Sequence, residues 1–284
     1  MDLYVISLII LSVAPAIFLG AYIYKKDVYE KESTGLLTRL FLAGIASAIL
    51  TLFLSEGLSA IFPFFLAEAP ILSYSLFELF LYVFIGVALI EEFSKWLFVK
   101  TIAWKNREFN YLYDAIVYCV FVSLGFATFE NILYALQVST AKNILLRGIL
   151  AIPCHAFVGV FMGYFLGRAK ANKINNNKKA CKRDLFFSIL VPTCLHGTYD
   201  YLLYAMEKYP DLFLAFVTFM ILLYIFSFIY IKKVSKDSYS FINIDATEKN
   251  TAIPITNQQF ICPACLQEVE QTAIFCKNCG HKLK

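Results

Sequence analysis

The chain has 284 residues, 60% of them hydrophobic and 17% aromatic, with a mean hydropathy of +0.66. Soluble domains carry about 45 to 50% apolar residues, so the composition excludes a soluble globular protein and points to an integral membrane protein. The formal net charge of +4 is small and clustered, and it reads as membrane orientation rather than as a nucleic-acid footprint.

About seven segments are long enough to cross a hydrocarbon core, which takes about 20 helical residues. They run over 3–24, 36–66, 71–99, 112–138, 144–167, 184–205 and 211–231. Continuous apolarity of this length excludes membrane β-strands, which alternate over about 10 residues. The first segment lacks a basic leader and a small-residue cleavage site, and Lys25 and Lys26 follow it, so it reads as a retained anchor. The second holds Glu56 and Pro63, which predict a bent or interfacial end.

Basic residues follow alternate spans: Lys25, Lys26, Lys31 and Arg39; then Lys100, Lys105 and Arg107; then Arg168 to Arg183; then Lys232, Lys233 and Lys236. The opposite loops hold little beyond Lys142, Arg147 and Lys208. The positive-inside rule then sets the N-terminus outside and the C-terminus in the cytoplasm. The expected fold class is all-α, a polytopic cell-membrane protein with residues 1–234 in the membrane domain.

Residues 235–259 turn polar without helical or strand period and read as a linker. Residues 260–284 carry Cys262-Pro-Ala-Cys265 and Cys276-Lys-Asn-Cys279. Two such pairs present four thiolates from two tight turns, the tetrahedral set of a structural zinc ribbon. A reducing compartment disfavours the alternative of disulfides. A closed four-cysteine site has no open position for chemistry, so the module would dock a cytoplasmic protein partner, or less readily nucleic acid. Cys119, Cys154, Cys181 and Cys194 read as core or loop residues.

The informative residues are the ionisable ones inside apolar spans: Glu91, Glu92, Lys95, Glu130, His155, His196 and Asp200. Each charge near a bilayer centre costs about 2.5 to 3.5 kcal/mol on insertion scales, so such residues mark a functional site by default. Glu91 and Lys95 are four apart and share a helix face, with Glu92 about 100° away. His196 and Asp200 are also four apart, which lets the carboxylate fix one imidazole tautomer. His155 heads a stripe with Gly159, Gly163 and Gly167, the small-residue pattern of closely packed membrane helices. At about 1.5 Å per residue, His155 and His196, each 13 residues from a basic end (Arg168, Arg183), both lie about 20 Å deep, and Glu91, 9 residues from Lys100 and 14 from Lys105, lies about 14 to 21 Å deep.

Glu91-Glu92-x-x-Lys95, Phe126-x-x-x-Glu130, His155 with its glycines and His196-x-x-x-Asp200, in this order over roughly 72–204, resemble the PrsW family of intramembrane proteases. That family is related to the CAAX prenyl protease and bacteriocin-processing group. The resemblance implies a membrane-embedded endopeptidase acting on a membrane protein substrate, such as a single-pass anti-sigma factor cut on its extracytoplasmic side in regulated proteolysis. The four-cysteine tail lies outside the family core.

Two mechanisms are open. In a glutamic mechanism Glu91 or Glu92 activates water while His155 and His196 stabilise the intermediate, Asp200 orients His196, Lys95 balances charge and Glu130 handles protons. In a metal-dependent one His155, His196 and Glu91 hold a catalytic divalent ion. Two other classes stand beside the protease: a transporter or channel with an intramembrane proton relay, against which the chain shows no inverted repeat, and a noncatalytic scaffold docking a partner through its zinc tail.

Overall fold

The computed structural model describes residues 3–65, 73–137, 140–236, 241, 260–261 and 268–269. The chain divides into two units, 1–244 and 245–284. In the first, the described residues form helices α1 (Leu3–Lys26), α2 (Thr34–Ile61), α3 (Leu76–Leu81), a π-helical segment (Tyr82–Leu89), α4 (Ile90–Ala103), α5 (Leu112–Leu136), α6 (Ala141–Ile149), α7 (Ala151–Ile174), α8 (Lys178–Lys208) and α9 (Phe213–Lys236). The second shows a two-residue antiparallel pairing of Phe260–Ile261 with Glu268–Val269. The four cysteines expected to bind zinc lie outside the described residues.

Local sequence explains where the helices start. Ser33, Thr140 and Asn177 accept backbone N–H bonds at the first turns of α2, α6 and α8, and Ser75 with Glu78 forms a capping box at α3. The expected bend of the second span appears as the end of α2 at Ile61, followed by a single 3₁₀ turn, Pro63–Phe65.

Five helical stretches among the described residues are long and apolar enough to cross a membrane: Ile6–Lys26, Thr34–Ile61, Leu112–Leu136, Ala141–Ile174 and Pro210–Lys236. The third and sixth expected spans are not among them. The run from α3 through α4 holds Glu91, Glu92 and Lys95, and α8 holds seven Lys, Arg and Asp residues over its 31 residues and Glu207 besides. Their ionisable content, read above as a site, is what removes them from a purely apolar count.

Helix α5 is the hub, packing on α1, α2, α4, α6, α7 and α9. Of its apolar window 72% is buried, against 22% for the window of α9 at the periphery. Glycines set how closely its neighbours approach. A Cβ on Gly163 would stand within 2.5 Å of Ala115 O and Ile116 Cα, and one on Gly159 within 2.7 Å of Ser123 Oγ. Gly44 of α2 and Gly125 of α5 form the other crossing, where a Cβ on either would collide with the facing backbone. The predicted glycine stripe is thus the α7–α5 interface, and it turns His155 inward.

Gly163→Leu should lower the apparent melting temperature in detergent, because overpacking costs about 1 to 3 kcal/mol or more where backbone faces backbone. Gly57→Ala, whose Cβ meets nothing within 4 Å, should leave it unchanged or raise it, since Ala gains about 0.5 to 1 kcal/mol of stability over Gly in a helix.

Candidate active site

Helices α4, α5, α7 and α8 bring the predicted residues together around the Lys95 ammonium, which is fully buried. Lys95 Nζ lies 2.7 Å from Glu92 Oε1, 3.0 Å from His155 Nδ1 and 3.4 Å from Glu91 Oε2. Its remaining side rests over the Phe126 ring, 4.0 Å from the centroid. The sequence assigns Lys95 to Glu91 by the four-residue spacing. The structure gives it the shorter contact with Glu92, because residues three apart are also neighbours on a helix and Glu92 is the more deeply buried.

These contacts fix hydrogen positions. An ammonium only donates, so His155 Nδ1 accepts from Lys95 and its proton sits on Nε2, donating to Glu130 Oε2 at 3.0 Å. His196 has a carboxylate on each side, Glu92 Oε1 at 2.9 Å from Nδ1 and Asp200 Oδ2 at 3.2 Å from Nε2. Two protons must therefore be shared among Glu92, His196 and Asp200. The two imidazoles meet edge to face at 4.9 Å, as their matched depths predict.

Arg147 was missed. It reads as a loop charge of the outer side, yet its guanidinium bonds Glu130 Oε1 at 2.9 Å and covers the Tyr134 ring at 3.7 Å. Its signal lies in the sequence, since Arg147 falls inside the fifth predicted span as Glu130 falls inside the fourth. Cys154, next to His155, is buried in the apolar core.

Access comes from α2. A crevice of about 270 Å³ is lined by Thr51, Ser55, Glu91, Phe126, Glu130 and Tyr134 among others, and one of about 90 Å³ by Thr51, Ser55, Ser59, Tyr82, Gly86 and Glu91 among others. Larger grooves of about 440 and 610 Å³ lie on almost wholly apolar helix exteriors and contain no ionisable residue beyond Tyr24, so size does not mark the chemistry here. Glu91 alone among the four central residues lines both polar crevices. The hydroxyls of α2 that face it have no counterpart in the sequence reading, because Thr and Ser raise no energetic alarm in a membrane helix.

The donor set suits a metal ion. One ligand atom each from Glu91, Glu92, His155 and His196 lies within 4.8 Å of the others, and Glu92 Oε2 is buried without a hydrogen-bond partner. Each histidine turns Nδ1 to the centre and Nε2 to a carboxylate, the outer-shell arrangement that orients metal-binding imidazoles. Lys95 shows that the centre accepts a cation, and its ammonium would have to withdraw for a metal to enter.

This is a polytopic membrane protein, helical through the described residues of its first unit, with a buried carboxylate and histidine centre, the layout of a membrane-embedded hydrolase. A family model described as PrsW family intramembrane metalloprotease matches residues 32–231. Protease PrsW of Oceanobacillus iheyensis is 32% identical over 233 residues, covering 82% of this chain and 98% of that protein. Protease PrsW of Geobacillus kaustophilus is 38% identical over 203 residues (72% and 82%), and that of Bacillus subtilis 33% over 214 (75% and 90%). The chain therefore belongs to the PrsW family: it is an intramembrane protease and a multi-pass protein of the cell membrane. No solved structure matches it. The transporter and scaffold readings are not favoured.

Arg147→Met should lower stability by about 1 to 2 kcal/mol, less than the 3 to 5 of a fully buried pair because Arg147 and Glu130 are 21% and 25% exposed. Arg147→Met with Glu130→Gln should recover part of that loss in a double-mutant cycle read by unfolding in detergent.

Proposed function

We propose that the chain cleaves a membrane-anchored protein by water attack on a peptide carbonyl, with Glu91 as general base and with Glu92, His155 and His196 as ligands of a divalent metal. The observation that carries this reading is the division between the two glutamates: Glu91 lines both polar crevices, whereas Glu92 is sealed between Lys95 and His196. A base must reach the water it deprotonates, and a ligand must not compete with solvent. When bound, the metal supplies Lewis-acid polarisation of an oxygen of the reacting group.

The chain's own residues do the rest. Glu91 takes a proton from water in the crevice as the oxygen adds to the carbonyl, and returns it to the amine nitrogen as the C–N bond breaks. Glu130 and Asp200 hold the two imidazoles through Nε2, and Arg147 fixes Glu130. Lys95 balances the paired carboxylates until a metal takes its place. A substrate helix would approach from lipid along the groove formed by Phe53, Leu54 and Leu58 of α2 with Leu89, Ile90 and Phe93, since Leu58 lines both that groove and the smaller crevice holding Glu91. Seven spans with the N-terminus outside would open the site toward the outer leaflet, consistent with cutting a single-pass anti-sigma factor on that side. The four-cysteine tail would hold a structural zinc and dock a cytoplasmic partner.

Purified protein in liposomes with a single-pass substrate tests this. Glu91→Gln should lower kcat by about 100-fold or more while retaining metal; Glu92→Gln and His155→Ala should lose metal and activity together. Asp200→Asn should weaken metal affinity by about 10- to 100-fold. Chelator treatment should abolish cleavage, and full activity in protein shown by metal analysis to be stripped would replace the metal reading with the glutamic one. Metal analysis with and without residues 260–284 separates the tail's zinc from the membrane site.

A further inference from the structure

A second group of carboxylates sits at the α1–α2 connection and the first turn of α5, apart from the Glu91 centre. Asp27 follows α1, Glu32 precedes α2 and Asp114 lies in the first turn of α5. One oxygen from each stands within 4.8 Å of the others, and the three residues are only 2%, 4% and 1% exposed.

Their hydrogen bonds leave oxygens over. Asp114 Oδ2 accepts the N–H groups of Asn110 and Tyr111 at 2.9 and 2.6 Å, capping α5, while Oδ1 is buried and unpartnered. Asp27 Oδ2 is likewise buried and unpartnered. Glu32 Oε2 accepts the Tyr118 hydroxyl at 2.7 Å. Lys31, one residue from Glu32, spends its ammonium on the backbone carbonyls of Tyr24 and Asp27. A neutral acceptor repeats the deficit: Asn110, whose backbone N–H bonds Asp114 and whose Nδ2 bonds Glu30, leaves its Oδ1 buried without a donor. Asp27 also takes the backbone N–H groups of Tyr29 and Glu30, and the Glu32 and Asp114 carboxyls bond each other. Yet among the described residues no N–H donor or cation reaches Asp27 Oδ2 or Asp114 Oδ1, which is costly for a buried acceptor and more so when it is charged.

We propose that Asp27, Glu32 and Asp114 bind a hard divalent cation, Ca²⁺, Mg²⁺ or Mn²⁺. Hard cations take carboxylate and amide oxygens at about 2.0 to 2.6 Å, and two such ligands on one ion stand up to about 5 Å apart, which accommodates the observed spread. The ion replaces the missing donors and offsets the mutual repulsion of the carboxylates. It would tie the α1–α2 connection to the start of α5, where Asn110 O also accepts the N–H of Phe241 from the chain beyond α9 at 2.7 Å. The site is structural and independent of the catalytic reading.

The full chain in detergent, stripped with chelator, is titrated with Mn²⁺ by electron paramagnetic resonance, and its melting is followed with Ca²⁺, Mg²⁺ and Mn²⁺. Thiolates of the tail discriminate against these hard ions. The wild type should bind Mn²⁺ and melt several degrees higher with at least one of the three ions. Asp27→Asn and Glu32→Gln should each weaken binding by about 10-fold or more and remove the thermal gain, whereas Glu92→Gln/His155→Ala should keep both. No binding in the wild type, or binding unchanged in Asp27→Asn and Glu32→Gln, overturns the proposal, the first meaning that a shared proton resolves the cluster. Should those two variants not fold, Mn²⁺ retained in Glu92→Gln/His155→Ala supports the site, and Mn²⁺ lost there overturns it.

Discussion

The buried ammonium of Lys95 is the interaction on which the rest of the site depends. A cation with no exposed surface is tolerable only where anions surround it, and its partners come from two helices: Glu91 and Glu92 from its own, His155 from α7. Its hydrophobic side is closed by Phe126 of α5. Because an ammonium cannot accept, it dictates the His155 tautomer, and through Nε2 it sets the direction of Glu130 and so of Arg147. One charge thereby orders residues on α4, α5, α6 and α7.

Close helix packing makes that possible. Lys95 reaches His155 because Gly159, Gly163 and Gly167 let α7 lie against α5, and Gly44 with Gly125 does the same for α2. The π-helical segment stands immediately before the glutamate pair. Such segments are frequent at functional sites, and here Tyr82, Gly86 and Val87 of that segment line the smaller crevice beside Glu91. Rigid packing on the α5 side and polar crevices on the α2 side give the site one closed wall and one open one.

The two glutamates illustrate how packing splits chemically equal neighbours. In sequence Glu91 and Glu92 are equivalent, and a face argument favours Glu91 as the lysine's partner. In the fold, Glu92 points to the interior between Lys95 and His196, and Glu91 borders the cavities. The same effect recruits Arg147: its place in the chain looks peripheral, but α6 folds back so that it meets Glu130.

The sequence by itself determined the membrane class, the helical content, the glycine interface, and the list of residues that gather at the centre, because charges and small residues inside long apolar runs are energetically conspicuous one at a time. Tertiary structure alone decided which glutamate faces a cavity, that Lys95 bridges to His155, that Arg147 completes the network, and that Asp27, Glu32 and Asp114 converge. Those facts depend on angles between helices and on connections that fold back. Contacts between residues distant in the chain are set by packing, and a one-dimensional pattern records only which face a residue is on.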